Sequence, residues 1–201
     1  QRERESNTNP DIDRERTPLN YDVLHDAPIN YTDEINKQIE ERYTGTRAIR
    51  KDAVYLCQFV VTSVKAFFDN LSPKDEKRFF EESAEFLKER YGKENILFAA
   101  VHKDEKTPHM HVGMVPITKE GKMSAKAFFG QKHELQSLQT DFHKHVQERG
   151  FDLERGEKGS DREHLEAQKY KAQTLEKNIH TLESHLKDVQ KVDKHLENIT
   201  S

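Results

Sequence analysis

The sequence predicts a two-layer α/β fold, an antiparallel sheet with helices on one face, followed by a long C-terminal helix. Three observations carry that expectation. Two short apolar runs rich in strand-forming residues, 95–102 and 109–117, are joined by a six-residue polar connection. Helix-length segments with start and stop signals surround them. From Ser160 onward the apolar residues fall at alternating steps of three and four.

The elements follow in order. A helix from about Thr32 to Arg42 opens on Thr32 as N-cap, with Asp33 and Glu34 set to favour the positive end of the helix dipole. Ala53 to Ser63 reads as a strand. The next helix starts at Ser72-Pro73, serine as cap and proline in the first turn, and stops at Gly92. It places Phe79, Phe80, Ala84, Phe86 and Leu87 on an inward side. Asn95–His102 and His109–Ile117 are neighbouring antiparallel strands. Ser124–Phe129 forms a short turn of helix, and a third long helix spans Lys132 to Arg149 before Gly150. On it Leu135, Leu138, Phe142 and Val146 make a core-facing stripe, with His133, His143 and His145 as solvated side chains. The helices cover one face of the sheet and leave the other for chemistry.

A length of 201 residues allows one ordinary domain plus an extension, placed at 1–159 and 160–201. Hydrophobic content is 33% and charged content 35%, yet the apolar residues concentrate between Ala53 and Val146, enough for one core. There is no run of eighteen apolar residues and no signal-like start, so neither a membrane span nor secretion is indicated. Cys57 is the single cysteine and cannot make an internal disulfide; a buried, reduced thiol in the cytoplasm is expected. In the extension, Leu165, Ala172, Leu175, Ile179, Leu182, Leu186, Val189 and Leu196 form a heptad seam interrupted by Gln168 and Asp193. A forty-residue helix would be about 60 Å long. It either makes a homodimer or packs back on the domain, and its near-balanced charge argues against a DNA-binding arm. The seam still runs near Ser201, so the coil is expected to continue.

The connection between the two central strands carries the chemistry. Side chains alternate along a strand, so His109, His111, Gly113 and Val115 share one face while Met110, Val112 and Met114 share the other. The apolar set points to the core. His102 ends the preceding strand, and the hairpin folds it back towards His109 and His111, so three imidazoles converge. Pro108 biases Thr107 towards an extended conformation and stiffens the entry to the second strand. Three neutral histidines leave coordination positions open, the pattern of a catalytic rather than a structural site. Imidazole suits Zn, Mn, Fe, Co or Ni, so the ligands alone do not choose the metal. Such an ion polarises a phosphoryl oxygen or activates a water.

The run HKDEKTPHMH at 102–111 resembles the histidine-hydrophobe-histidine motif of relaxases, the plasmid nicking enzymes, and in detail that of the Mob/Pre (MobV) family. Asn9-Pro-Asp-Ile-Asp13, Leu19-Asn-Tyr-Asp22, Arg47-Ala-Ile-Arg-Lys-Asp52 and Gly150-Phe-Asp-Leu-Glu-Arg-Gly156 agree with the same family in the same order. The resemblance covers about the first 156 residues. It implies a plasmid mobilisation relaxase: strand-specific nicking and rejoining of origin-of-transfer DNA, single-stranded or hairpin, through a covalent 5′-phosphoryl enzyme. It implies further that His102, His109 and His111 hold a divalent cation, Mn²⁺ or Mg²⁺, against the scissile phosphate.

The family's histidine nucleophile stands on a first strand just ahead of a segment like Gln1-Arg-Glu-Arg4, so it is expected upstream of residue 1, with Arg2 beside it. Gln1 is not an initiating methionine, and the chain as given is expected to keep its metal and DNA sites but lack the nucleophile. Tyr21 is the alternative nucleophile by position. Glu105 matches a carboxylate that orients the nucleophile or accepts its proton. Asp104 is a candidate partner for a ligand histidine. Arg47, Arg50 and Lys51, beside Arg42, form a basic cluster that would hold the DNA backbone near the metal. The formal net charge of −4 gives no general affinity for DNA, so recognition must use this local patch. Two alternatives remain at this point: a three-histidine zinc hydrolase, and a non-catalytic protein that binds origin DNA and dimerises.

Overall fold

The computed structural model describes residues 11–155, 175–176, 179–187 and 189. The chain divides into two compact units, Gln1–Arg155 and Gly156–Ser201. In the first, chain order is β1 (Tyr21–Asp22), α1 (Tyr31–Arg42), β2 (Cys57–Thr62), α2 (Lys65–Asp69), α3 (Pro73–Tyr91), β3 (Ile96–His102), β4 (His109–Met114), α4 (Ala125–Phe129) and α5 (Lys132–Glu148). The sheet is antiparallel throughout, in the order β1-β3-β4-β2. In the second unit the described residues are helical, and Leu175, Ile179, Leu182, Leu186 and Val189 of the seam are exposed. Leu165, Gln168, Ala172, Asp193 and Leu196 lie outside the described residues, as does Arg2. No described helix is long and apolar enough to cross a membrane.

The central hairpin has the expected register. His102 faces His109, and Val101 faces Met110. Met110, Val112 and Met114 are fully buried in the larger core with Phe79, Phe80, Ala84 and Leu87 of α3 and Val146 of α5. Phe67 and Phe68 of α2 join Phe79, Phe80 and Phe151 in a chain of edge and stacked ring contacts, centroids 5.1–5.8 Å apart. The start of α3 is set by Ser72, whose hydroxyl accepts from Asp75 N at 3.1 Å, and its end by Gly92 at φ 92°.

Four expectations need correction. Helix α1 begins one residue earlier, at Tyr31, because Asn30 is the cap: its Oδ1 accepts from Thr32 N at 3.0 Å and Asp33 N at 3.3 Å. Strand β2 starts at Cys57 and not Ala53, since its ladder ends where Cys57 pairs with Met114. The stripe on α5 runs through Leu138, Phe142, His145 and Val146, while Leu135 in the first turn stays 48% exposed. His145 is not solvated: it is buried between α3 and α5 and its Nε2 donates to the Glu82 carbonyl at 3.1 Å, beside the Arg149–Glu82 ion pair.

The histidine face is also only half open. A bulge between Ile96 and Phe98 puts Leu97 and Phe98 on the same side, where they join Ala100, Val115 and Ile117 in a second core. Ile35 and Ile39 of α1 cover it, and the Tyr31 ring lies 4.5 Å from that of Phe98. Helix α1 therefore lies on the face opposite α3, over one end of the sheet. The other end carries the histidines.

Candidate metal centre

Strand alternation and the His102–His109 register bring the three imidazoles into a triangle with every pair of ring centroids 5.1 Å apart. One ligand nitrogen from each lies within 4.8 Å of the others. His102 Nδ1 and His109 Nε2 are 3.3 Å apart. Two imidazoles bound to one ion at about 2.1 Å stand about 3.0–3.4 Å apart at octahedral or tetrahedral angles, so this pair already has the separation of a bound state.

The connection prepares the ligand atoms. His109 Nδ1 is 3.0 Å from the Thr107 carbonyl, which can only accept; Nδ1 therefore carries the proton, and the Nε2 lone pair faces the centre. A backbone carbonyl so placed is the usual orienter of a ligand histidine. Thr62 Oγ1 of β2 donates to the Pro108 carbonyl at 3.0 Å, tying the turn to the neighbouring strand. Glu105 Oε1 lies 4.0 Å from His109 Nε2, at the rim of the triangle. Three imidazole nitrogens brought together by His102, which is buried, and the half-buried His109 and His111, with a carboxylate next to them, fit a hexacoordinate or tetrahedral divalent cation with open positions.

Asp104 does something sequence reasoning did not foresee. It is fully buried, and its Oδ2 accepts from Asn20 Nδ2 at 2.8 Å and Thr17 Oγ1 at 3.1 Å. Lys103 pairs with Glu76 of α3 at 2.6 Å, both side chains largely buried. Nothing in the spacing of residues 13–20 pointed to a partner 84 positions away.

Tyr21 is brought elsewhere. It pairs with Val101 and packs against the larger core, on the face opposite the imidazoles. Burial, reinforced by Glu76 and Glu81, pushes its phenol well above the ordinary tyrosine range, so it holds its proton. Neither position nor acidity suits a nucleophile for this centre.

The basic cluster is likewise set apart from the triangle. Arg47, Arg50 and Lys51 precede β2 at the end where Cys57 pairs with Met114, whereas Thr62, paired with His109, lies about 17 Å along the strand. Arg42 is not part of it: its guanidinium donates to the Glu94 carbonyl at 2.8 Å and Asn95 Oδ1 at 2.7 Å, fastening α1 to the start of β3. Arg50 pairs with Asp52 in solvent at 2.6 Å. The loop is docked on the 117–123 turn, where Thr44 N–H and Oγ1 donate to the Gly121 and Glu120 carbonyls at 3.0 and 2.9 Å. Lys119 and Lys122 of that turn, which carry no motif of their own in the sequence, thus belong to the same exposed region.

The model of the plasmid recombination enzyme family, Mob/Pre, matches residues 1–172. The chain belongs to that family. Mob/Pre relatives include a plasmid recombination enzyme of Bacillus sp., 55% identical over 94% of this chain and 45% of its own length. The type 2 enzyme of Staphylococcus aureus is 52% identical over 92% of this chain and 44% of its own length. The chain thus spans less than half the length of these relatives. Among solved structures, the MobM relaxase domain bound to plasmid pMV158 oriT DNA, in an Mn-bound crystal structure, is 39% identical. It superposes with a TM-score of 0.79 over 85% of this chain and 87% of that one. A second MobM complex, with 26-nucleotide oriT DNA, gives a TM-score of 0.70 over 75% of this chain. The Mob/Pre sheet with its flanking helices is therefore the relaxase-domain fold.

Proposed function

We propose that this chain is the relaxase portion of a plasmid mobilisation enzyme that nicks and rejoins one strand of origin-of-transfer DNA. The observation that carries the reading is the triangle of His102, His109 and His111, with the His109 Nε2 lone pair turned inward by Thr107. These three residues would hold Mn²⁺ or Mg²⁺, and such an ion draws charge from the non-bridging oxygens of the scissile phosphate. In the reaction a nucleophilic side chain attacks phosphorus, the P–O3′ bond breaks, the 3′-hydroxyl leaves with a proton, and a 5′-phosphoryl enzyme remains. Attack by a 3′-hydroxyl reverses the step.

Glu105, at the rim of the metal site, would orient the nucleophile or take up its proton. Arg47, Arg50 and Lys51 grip the phosphate backbone across the open part of the sheet face, and Arg2 acts beside the nucleophile. The Arg50–Asp52 pair is solvent-exposed on both sides and weak enough for a phosphate to displace. Plasmid DNA as substrate supports a cytoplasmic location. The exposed seam of Leu175, Ile179, Leu182, Leu186 and Val189 supports a homodimer through the second unit.

The test is a Mn²⁺ titration of the chain followed by electron paramagnetic resonance, with His109→Ala as control. It is paired with nicking of a hairpin-bearing single strand by a chain extended upstream with a relative's residues. One tight site, lost in the variant, and Mn²⁺-dependent cleavage with protein joined to the 5′ end are expected. A site selective for zinc with no cleavage would favour the hydrolase alternative; DNA binding without cleavage would favour the non-catalytic one.

A further inference from the structure

We propose that Asn20 and Asp104 are positioning residues of the metal centre, a latch that holds the His102–His109 connection in the shape that spaces the ligands. The inference rests on the reading of the three histidines as a metal site and adds two residues outside the ligand set.

Connections between strands ordinarily lie in solvent. This one turns a carboxylate inward: Asp104 is 0% exposed. A buried carboxylate is costly unless it is hydrogen-bonded, and here the bonds come from one short segment. Asn20 Nδ2 donates to Asp104 Oδ2 at 2.8 Å and Thr17 Oγ1 donates to the same oxygen at 3.1 Å. Asn20 Oδ1 accepts from Lys103 N at 2.7 Å, and Asp13 N–H donates to the Asp104 carbonyl at 2.8 Å. The two residues immediately after His102 thus take four hydrogen bonds from residues 13–20. From the other side, Lys103 is held by Glu76.

The chemistry of the pair fixes the asparagine's orientation, since the carboxylate can only accept and the backbone N–H can only donate. An amide of this length meets both demands. Leucine meets neither, and aspartate would face Asp104 with a like charge. What the latch holds is the part of the chain that sets ligand geometry: Glu105 follows Asp104 directly, and Thr107, whose carbonyl orients His109, is three residues on. With the latch open, the connection would keep the Lys103–Glu76 pair and the Thr62–Pro108 bond but lose its hold on Asp104 between them, and the Thr107–His109 contact and the 3.3 Å approach of His102 to His109 would loosen.

The isosteric swap tests this in the full 201-residue chain. Mn²⁺ affinity is measured by electron paramagnetic resonance, beside the metal-free melting temperature, for wild type, Asn20→Asp, Asp104→Asn and the double variant. Asn20→Asp is expected to weaken Mn²⁺ binding about tenfold, the low end of what loss of a ligand's supporting partner costs. The double variant restores complementarity: the carboxylate introduced at position 20 accepts from the amide introduced at position 104 and from Lys103 N, and the Thr17 hydroxyl still donates to the amide oxygen or turns to accept. It should bind Mn²⁺ more tightly than Asn20→Asp does. Unchanged affinity in Asn20→Asp with a lowered melting temperature would show a merely structural role and overturn the proposal, as would a double variant no better than the single one. Should Asn20→Asp not fold, Thr17→Val removes one bond to the same carboxylate. Weaker Mn²⁺ binding at an unchanged melting temperature then supports the latch, and unchanged binding overturns it. A wild-type chain that binds no Mn²⁺ would instead bring down the metal reading itself, and the latch with it.

Discussion

Replacing Gly113 by alanine probes how the metal-bearing strand is seated. A Cβ built at this position would lie 2.2 Å from Cε1 of Phe98, 2.6 Å from Cζ and 2.7 Å from Cδ1. Carbon atoms pack at about 3.5–4.0 Å, so the ring must retreat by more than about 1 Å. Phe98 has little room for that: it is fully buried, and the Tyr31 ring of α1 packs against it with centroids 4.5 Å apart. The displacement is therefore passed to α1, and overpacking of this kind costs about 1–3 kcal/mol. For a domain of this size that corresponds to a fall in Tm of about 2–12 °C. Thermal melts of Gly113→Ala, Phe98→Leu and the double variant form a cycle in which the smaller side chain at 98 makes room for the methyl. The two changes should couple favourably by at least about 0.5 kcal/mol. An unchanged Tm for Gly113→Ala, or strict additivity in the cycle, would refute the argument that Gly113 is there to admit the Phe98 ring.

Asn30→Ala should cost about 1 kcal/mol through loss of the α1 cap, whereas Thr32→Ala should change Tm little; equal effects would return the cap to Thr32. Arg47→Ala and Lys51→Ala should each weaken single-stranded DNA binding regardless of sequence and reduce the salt slope by about one, measured by fluorescence anisotropy at several salt concentrations. Loss of affinity confined to one base sequence would argue against backbone contact. The hydrogen bond from Arg90, then that from Ser137, holds the Asp141 carboxyl below the usual carboxylate range. A depressed folded-state pKa contributes stability above the unfolded carboxylate pKa, about 3.9, that is lost as pH falls through the folded value. The Tm advantage of wild type over Asp141→Asn is therefore expected to be full at neutral pH and to shrink below about pH 4; a difference constant down to pH 2 would contradict it.

What the sequence revealed and what it hid follow from signal length. The β3–β4 hairpin was legible because its alternation runs over enough residues to separate Met110, Val112 and Met114 from His109 and His111. Helix α3 announced both ends, at Ser72-Pro73 and Gly92. Strand β1 is two residues long and has no period to read; it is held in place partly by the Asp22 carboxylate, which accepts from Leu24, His25 and Ala99 amides. Helix α2, five residues, is equally short, and its Phe67 and Phe68 belong to the core only through tertiary packing. The Thr32–Arg42 helix was expected with the others on one face of the sheet, and only the packing of Ile35 and Ile39 on the second core sets α1 on the other. His145 was read as solvated, and the buried bonds of Asp104 to Asn20 and Thr17 went unseen, because a polar residue held by a partner far away in the chain carries no local signal.

The three histidines owe their convergence to the small residues beside them as much as to their own spacing. His111 lies across from Ala100, and the next pair along the same face is Gly113 with Phe98. Ala100 is fully buried, so its methyl leaves room for the imidazole without leaving the strand pair open to water. One step further the relation inverts, and the glycine admits the aromatic ring. Small opposite large, twice in succession, lets one strand present ligands at one end and core at the other. A His-x-His on a strand whose neighbour carried bulky side chains at both positions would meet the same spacing rule and could not form this triangle. The residues that make the motif specific are therefore the ones that carry no chemistry, and they are read from the pairing of strands and not from the motif itself.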